Sequence, residues 1–195
     1  IAIEIKSFIR YKMRGALKCY FVDLDNTLIP GVWEEDKESI VEEYQKPPSG
    51  SFHSLKMFLK KQASYGAQVI IVSKNDHSSI IEALECIDRN WHQWITHIDS
   101  GWGVKHERIN QMIIRIGIAA EDSLIVDDNP IEIGSIEEYL PLLNSQLFKN
   151  NFQHFVRDLK SKGLYLFGNA SFNEERKDYY KRQLSPSSKQ KQEHL

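Results

Sequence analysis

The chain has 195 residues, 41% of them hydrophobic and 27% charged, which suits one globular domain with its own core and leaves little room for two. Its 25 Lys and Arg against 27 Asp and Glu give a net charge of −2, which argues against a protein that coats nucleic acid or a membrane surface. No apolar run reaches membrane-spanning length, no secretory segment opens the chain, and Cys19 and Cys86 stand apart, so a reduced, cytoplasmic setting is expected.

The chain opens on Ile1 rather than Met, compatible with a piece of something longer. Residues 1–17 mix Ile3, Ile5, Phe8 and Ile9 with Lys6, Arg10, Lys12 and Arg14 and stop at Gly15, a short helix or lead-in. Lys18 to Leu24 is short, apolar, aromatic and β-branched, and so reads as a buried strand. Residues 30–51 are acidic and then carry Pro47-Pro48-Ser49-Gly50, the marks of a loop. Helical spacing of Phe52, Leu55, Met57, Phe58 and Leu59 runs to Ala63, and Gly66 ends that helix. Ala67 to Val72 is the next strand, and His77 to Cys86 is a helix with Ile80, Ile81 and Leu84 on one face. Trp94 to Ile98 is a weaker strand, Lys105 to Ile116 a helix, and Ser123 to Val126 a strand that runs into Asp127-Asp128. A core over 18–170 is expected, then a helix over 171–184 with capping-box spacing at Ser171 and Glu174, and a disordered tail over 185–195.

Strands alternating with helices call for an α/β fold, a doubly wound and mostly parallel sheet. In such sheets chemistry sits beyond the carboxyl ends of the strands. Asp23 and Asp25 follow the first strand, and Ser73 with the polar turn Lys74-Asn75-Asp76 follows the second. Lys105 comes after the third, and Asp127 and Asp128 after the fourth. Clustered carboxylates repel each other and lose hydration unless something positive joins them. Mg²⁺ is the natural guest, a hard cation that takes carboxylate oxygens and keeps ligand positions for water and phosphate. An anionic nucleophile approaching a phosphoryl group meets repulsion of about 4 kcal/mol per charge pair at 4 Å and an effective dielectric near 20. A fixed ammonium and a metal ion remove much of it.

The ordered set Asp23-Leu24-Asp25-Asn26-Thr27-Leu28, Ser73-Lys74-Asn75-Asp76, Lys105 and Asp127-Asp128-Asn129-Pro130 resembles the haloacid dehalogenase (HAD) superfamily of aspartate-nucleophile phosphotransferases. It is more similar still to the FkbH-like members (subfamily IIIC) and related capless magnesium-dependent phosphatases. The resemblance runs from about Lys18 through Leu143 and is weaker at Phe172 to Gln183. It implies a Rossmann-like core, with Asp23 as nucleophile and Asp25 as the acid, then base, whose backbone carbonyl also helps hold Mg²⁺. It further implies metal binding by Asp23, Asp25, Asp127 and Asp128, and phosphate held by Ser73 and Lys105. Asn26, Thr27, Lys74 and Asn75 join as substrate-binding residues. For FkbH-like members the implied activity is dephosphorylation of a three-carbon phosphoglyceryl donor and loading of the glyceryl unit onto an acyl carrier protein in polyketide-type assembly. Two positions depart from the FkbH-like pattern, Arg108 in place of Asn and Ile133 in place of Arg.

Other readings stand beside this one. A capless phosphatase acting on a phosphoprotein or a small phosphate ester needs the same residues, and a binding module could keep the fold without turnover. A signalling receiver domain also clusters acids with Ser or Thr and Lys, but its acidic pair ends the first strand, whereas the Asp pair here ends the last. The seven histidines show no metal-ligand spacing. Trp102, three before Lys105, is a candidate substrate wall or core residue. Cys19 is a candidate acyl carrier by resemblance, yet four strand residues place it about 13 Å from Asp23, which favours a buried structural thiol. In the resembled superfamily a cap is inserted after the first or the second motif; the segments from Asp25 to Phe52 and from Lys105 to Asp127 have no room for a folded cap, so an open site and a macromolecular or carrier-bound substrate are expected.

Overall fold

Alternating burial along the first strand sets the architecture. Tyr20 and Val22 face one apolar layer while Cys19 and Phe21 face another, and all four are fully enclosed. A strand buried on both faces belongs at the centre of a parallel sheet covered by helices on each side. A computed structural model describes residues 15–166 and 173–184, together with Ile5, Ile9, Arg10, Lys12 and Met13.

Five parallel strands form one sheet: β1 (Cys19–Val22), β2 (Gln68–Ser73), β3 (His97–Ser100), β4 (Ser123–Asp127) and β5 (Asn144–Leu147), in the order β3-β2-β1-β4-β5. Helices α1 (Trp33–Gln45), α2 (Gly50–Ser64), α3 (His77–Ile87) and α6 (Phe152–Ser161) pack on one face, through Ile40, Leu55, Phe58, Leu84 and Phe155 among others. Helices α4 (Lys105–Ile116), α5 (Pro130–Tyr139) and α7 (Asn173–Leu184) cover the other, through Ile109, Met112, Ile136 and Leu184. This is the doubly wound, parallel α/β core that the sequence led us to expect, without a large cap among the described residues. The chain order reverses between β1 and β4, which is where doubly wound sheets open a crevice.

Several boundaries move. The stretch read as a loop over 30–51 contains the 13-residue helix α1. Its signals are Trp33, Ile40, Val41 and Tyr44 on one face and Glu34, Glu35 and Asp36 in the first turn, where acids favour the helix dipole. The Pro-Pro-Ser-Gly turn is real but short, and α2 starts at Gly50. The third strand is His97–Ser100, not Trp94–Ile98. Trp94 and Ile95 are buried beside a 3₁₀ turn at Trp91–Gln93, and the Trp94 indole donates to Asp88 at 2.9 Å. Their apolar character reflects packing rather than strand pairing. The fifth strand went unread because Asn-Ser-Gln-Leu carries no β-branched residue.

The C-terminal helix spans Asn173–Leu184. The Ser171 capping position, the 185–195 tail and most of the 1–17 lead-in lie outside the described residues. Among the described residues, no helix is long and apolar enough to cross a membrane.

Candidate active site

Register decides which acids meet. Val22 of β1 pairs with Val126 of β4, and the Asp23 N–H donates to the Val126 carbonyl at 3.0 Å. Asp23 and Asp127 therefore leave adjacent strands side by side at the crevice, where strand spacing is about 4.8 Å. Both are buried, at 8% and 1% exposure. Asp23, Asp127 and Asp128 each offer an oxygen within 4.8 Å of the other two.

Lys105 stands between two of these acids. Its Nζ donates to Asp23 Oδ1 at 2.8 Å and to Asp127 Oδ2 at 2.5 Å, with the side chain only 3% exposed. Lysine is disfavoured in the first turn of a helix, where the dipole is positive, yet Lys105 opens α4. The two carboxylates explain its position. Burial pulls the Lys105 pKa down, but Asp23 and Asp127 more than offset that and hold it above the ordinary lysine value. Burial pushes the Asp23 carboxyl well above the usual carboxylate range; Lys105 opposes this and Asp127 adds to it. Asp128 is also raised, by burial and then by Asp127.

One ammonium for three carboxylates leaves the cluster short of positive charge. All the donors are hard oxygens on converging side chains, and a divalent ion such as Mg²⁺ fits them. Such a cation would bring the raised acids back to their ionised forms. Asp127 is prepared for that role: its Oδ1 accepts from the Asn129 N–H at 2.9 Å. The Asn129 side chain in turn caps α5 by accepting from the Ile131 N–H at 2.9 Å, with Pro130 in the first turn. The Asp-Asp-Asn-Pro run is thus a strand end, a pair of clustered carboxylates and a helix start in four residues.

Asp25 is held separately. Its Oδ1 accepts from the Trp33 N–H at 2.9 Å and its Oδ2 from Asn75 Nδ2 at 2.7 Å, so its carboxylate is not part of the three-acid cluster. The turn that delivers it is tight: Leu28 and Ile29 N–H groups both donate to the Leu24 carbonyl, and Asn26 adopts a left-handed φ of 52°, which Asn tolerates better than most residues. Gly31, at φ 102°, closes the turn with its carbonyl accepting from the Asn26 N–H; a Cβ there would come within 2.6 Å of Asp36 Oδ2.

A cavity of about 380 Å³ opens over these groups, lined by Asp23, Asp25, Asn26, Ser73, Lys74 and Lys105 and, across from them, by Asp127 through Pro130 and Glu132. Of the expected site residues, Thr27 and Asn75 stand apart. Thr27 is fully enclosed and does not line the cavity, so burial removes its hydroxyl from any entering ligand. Asn75 spends its amide on Asp25, and its N–H donates to Ser73 Oγ at 3.3 Å. Lys74 reaches across the opening to pair with Glu132.

Trp102 is neither core nor lining: it is 76% exposed and does not border the cavity. Ile133 is buried in the core layer beneath α5. Cys19 is fully enclosed at the opposite end of β1, and burial pushes its thiol far up, away from the reactive thiolate.

No protein-family model and no curated protein matches the chain. Solved structures do. The N-terminal part of the protein BF1531 from Bacteroides fragilis, containing a phosphatase domain complexed with Mg, aligns with a TM-score of 0.65 at 23% identity, over 85% of this chain. The chain spans 44% of that structure's length. The HAD domain of the effector protein Lem4 from Legionella pneumophila, solved as an inactive mutant, aligns more loosely, with a TM-score of 0.47 at 14% identity over 74% of this chain and 93% of that one. The first likeness shows the fold; the geometry above describes the site.

Proposed function

We propose that the chain is a Mg²⁺-dependent phosphohydrolase or phosphotransferase of the HAD type, with Asp23 as the nucleophile. The observation that carries this is the meeting of Asp23, Asp127 and Asp128 around Lys105 at the sheet's crevice, with Asp25 held separately beside them. Asp23 Oδ1 is engaged by Lys105, while no hydrogen bond reaches Oδ2 among the described residues. An aspartate so placed can attack a phosphoryl group, its phosphorus–oxygen bond forming as the bond to the leaving oxygen breaks. The Lys105 ammonium offsets the negative charge that this attack brings together.

Asp25, fixed by Trp33 and Asn75, suits a proton donor to the leaving oxygen. Once ionised, it takes a proton from the water that hydrolyses the aspartyl phosphate and returns Asp23 to its starting form. Ser73, 1% exposed at the cavity wall, can donate its hydroxyl proton to a phosphoryl oxygen. Held by Asp23, Asp127 and Asp128, with the Asp25 carbonyl expected to assist, a bound Mg²⁺ would supply further charge neutralisation for the phosphoryl oxygens.

The finer reading, a phosphoglyceryl donor and an acyl carrier protein as acceptor, is supported by the FkbH-like resemblance of the motifs. The open cavity suits a substrate carried by a partner. Cys19 does not serve as the acyl relay in this reading, because it is enclosed at the far end of the sheet. Two assays separate the layers. Hydrolysis of an aryl phosphate with Mg²⁺, lost on chelation and in Asp23→Asn, tests the chemistry; absence of turnover on every phosphate offered points instead to a binding module. A glyceryl mass gain on a carrier protein incubated with 1,3-bisphosphoglycerate tests the substrate; an unchanged carrier mass leaves the simple phosphatase.

A further inference from the structure

Arg108 is one of the two departures from the FkbH-like pattern, and its side chain turns away from the cavity. It lies one turn after Lys105 on α4, with its side chain 13% exposed. Its Nε donates to Asp99 Oδ2 at 2.7 Å. Its Nη2 donates to the Ser73 carbonyl at 3.1 Å and the Asp99 carbonyl at 2.6 Å, and its Nη1 to the Gly101 carbonyl. The Gly101 N–H also donates to the Ser73 carbonyl, at 3.1 Å. Gly101 has a φ of 146°, and Gly103 packs against the Arg108 stem, so that a Cβ there would lie 3.5 Å from Cδ.

One guanidinium thus gathers the ends of β2 and β3 and the loop that leads into α4. Two residues assigned to the phosphate depend on those pieces. Ser73 is the last residue of β2, and its carbonyl receives both the Arg108 and the Gly101 bonds. Lys105 begins the helix that carries Arg108. A planar fork of five donors in fixed directions can hold three carbonyls and a carboxylate together; a lysine ammonium offers three donors from a single point and cannot reach them all.

Building on the phosphotransfer reading, we propose that Arg108 is a positioning residue that holds Ser73 and Lys105 at the separation phosphoryl transfer requires. It touches neither substrate nor metal and acts through those two side chains. Misplacing a reacting or stabilising group by about 1 Å costs on the order of 10²-fold in rate, so a loosened latch should act on the transition state more than on ground-state binding.

The test compares the full chain with Arg108→Lys and, in case that variant is poorly folded, Asp99→Asn, which weakens the same latch from its other side. Circular dichroism and melting temperature establish folding. Aryl phosphate turnover in Mg²⁺ gives kcat and KM, and calorimetry gives affinities for inorganic phosphate and for vanadate, a mimic of the five-coordinate phosphoryl group. The expected result for folded Arg108→Lys is a kcat lower by about tenfold or more, with KM and phosphate affinity within about twofold. Vanadate binding should weaken in step with kcat, and Asp99→Asn should move the same way by a smaller factor. A purely structural role lowers the melting temperature while leaving kcat per folded molecule and vanadate affinity intact, and that result overturns the proposal. A wild-type chain without turnover fails the phosphohydrolase reading alone. In that case the vanadate arm decides, with equal affinity in wild type and folded variants counting against the latch.

Discussion

The two ends of the sheet both bury acids, and they resolve the cost differently. At the amino end, Asp122 accepts from Lys18 Nζ at 2.7 Å, and Arg10 approaches it at 4.0 Å while donating to the Glu121 carbonyl at 2.6 Å. One carboxylate there faces two cations. At the carboxyl end, Asp23 and Asp127 share the Lys105 ammonium, and Asp128 lies close beside both acids. The amino end is a charge-compensated structural contact. The carboxyl end retains negative charge that a cation must meet, and an unbalanced site costs stability unless ligand binding compensates for it. The contrast separates residues that hold the fold from residues we propose for chemistry.

The largest expected effect lies at the carboxyl end. Asp23→Asn removes the proposed nucleophile and should lower aryl phosphate turnover by about 10³-fold or more while the chain stays folded by circular dichroism; a variant with wild-type turnover would remove Asp23 from the mechanism. Lys105→Met leaves two buried carboxylates without their ammonium. Thermal or urea unfolding without divalent cation should show a loss of about 3–5 kcal/mol, partly restored by Mg²⁺; indifference to Mg²⁺ would argue against the three-acid cation site.

At the amino end, changes should spare turnover. Cys19→Ala deletes one buried sulfur and should cost about 1 kcal/mol by urea unfolding, with kcat unchanged; a collapse of kcat would give the thiol a role that its burial denies. Lys18→Met breaks a pair in which the lysine side chain is 46% exposed. It should cost about 1 kcal/mol or less, again without effect on kcat.

The smallest effect is one of pH. Burial lowers the His97 pKa, Asp99 works against it, and Arg115 and His77 add to it. As pH falls below about 6.5, the unfolded chain therefore takes up this proton before the folded one does. The stability that neutral His97 supplies is complete above that pH and is lost as pH drops from there through the folded pKa. His97→Gln should flatten the stability profile over that window; an unchanged slope would assign the dependence to other groups.

Much of this was legible because both fold and site are written in local patterns. The strand ending at Val22, the strand around Ile70 and the helix from Lys105 to Ile116 are each marked by burial spacing and a stop, and the helix ends at Gly117 in the left-handed conformation. Helix α1 was hidden by its acidic composition, since only Trp33 and Ile40 along it are buried. That helix matters to the site, because its first N–H fixes Asp25. Arg108 was legible as a departure but not as a latch, since its acceptors are mainly backbone carbonyls that leave no trace in residue identity.

By itself, then, the order of residues determined the alternation of strands and helices and the acids, hydroxyl and ammonium delivered to strand ends, because side-chain period and turn chemistry are local. Only the tertiary structure decided which acids share a cation and which is held apart. That outcome depends on the register of β1 against β4, on a helix N-terminus eight residues away from Asp25, and on a guanidinium that ties together pieces distant in the chain.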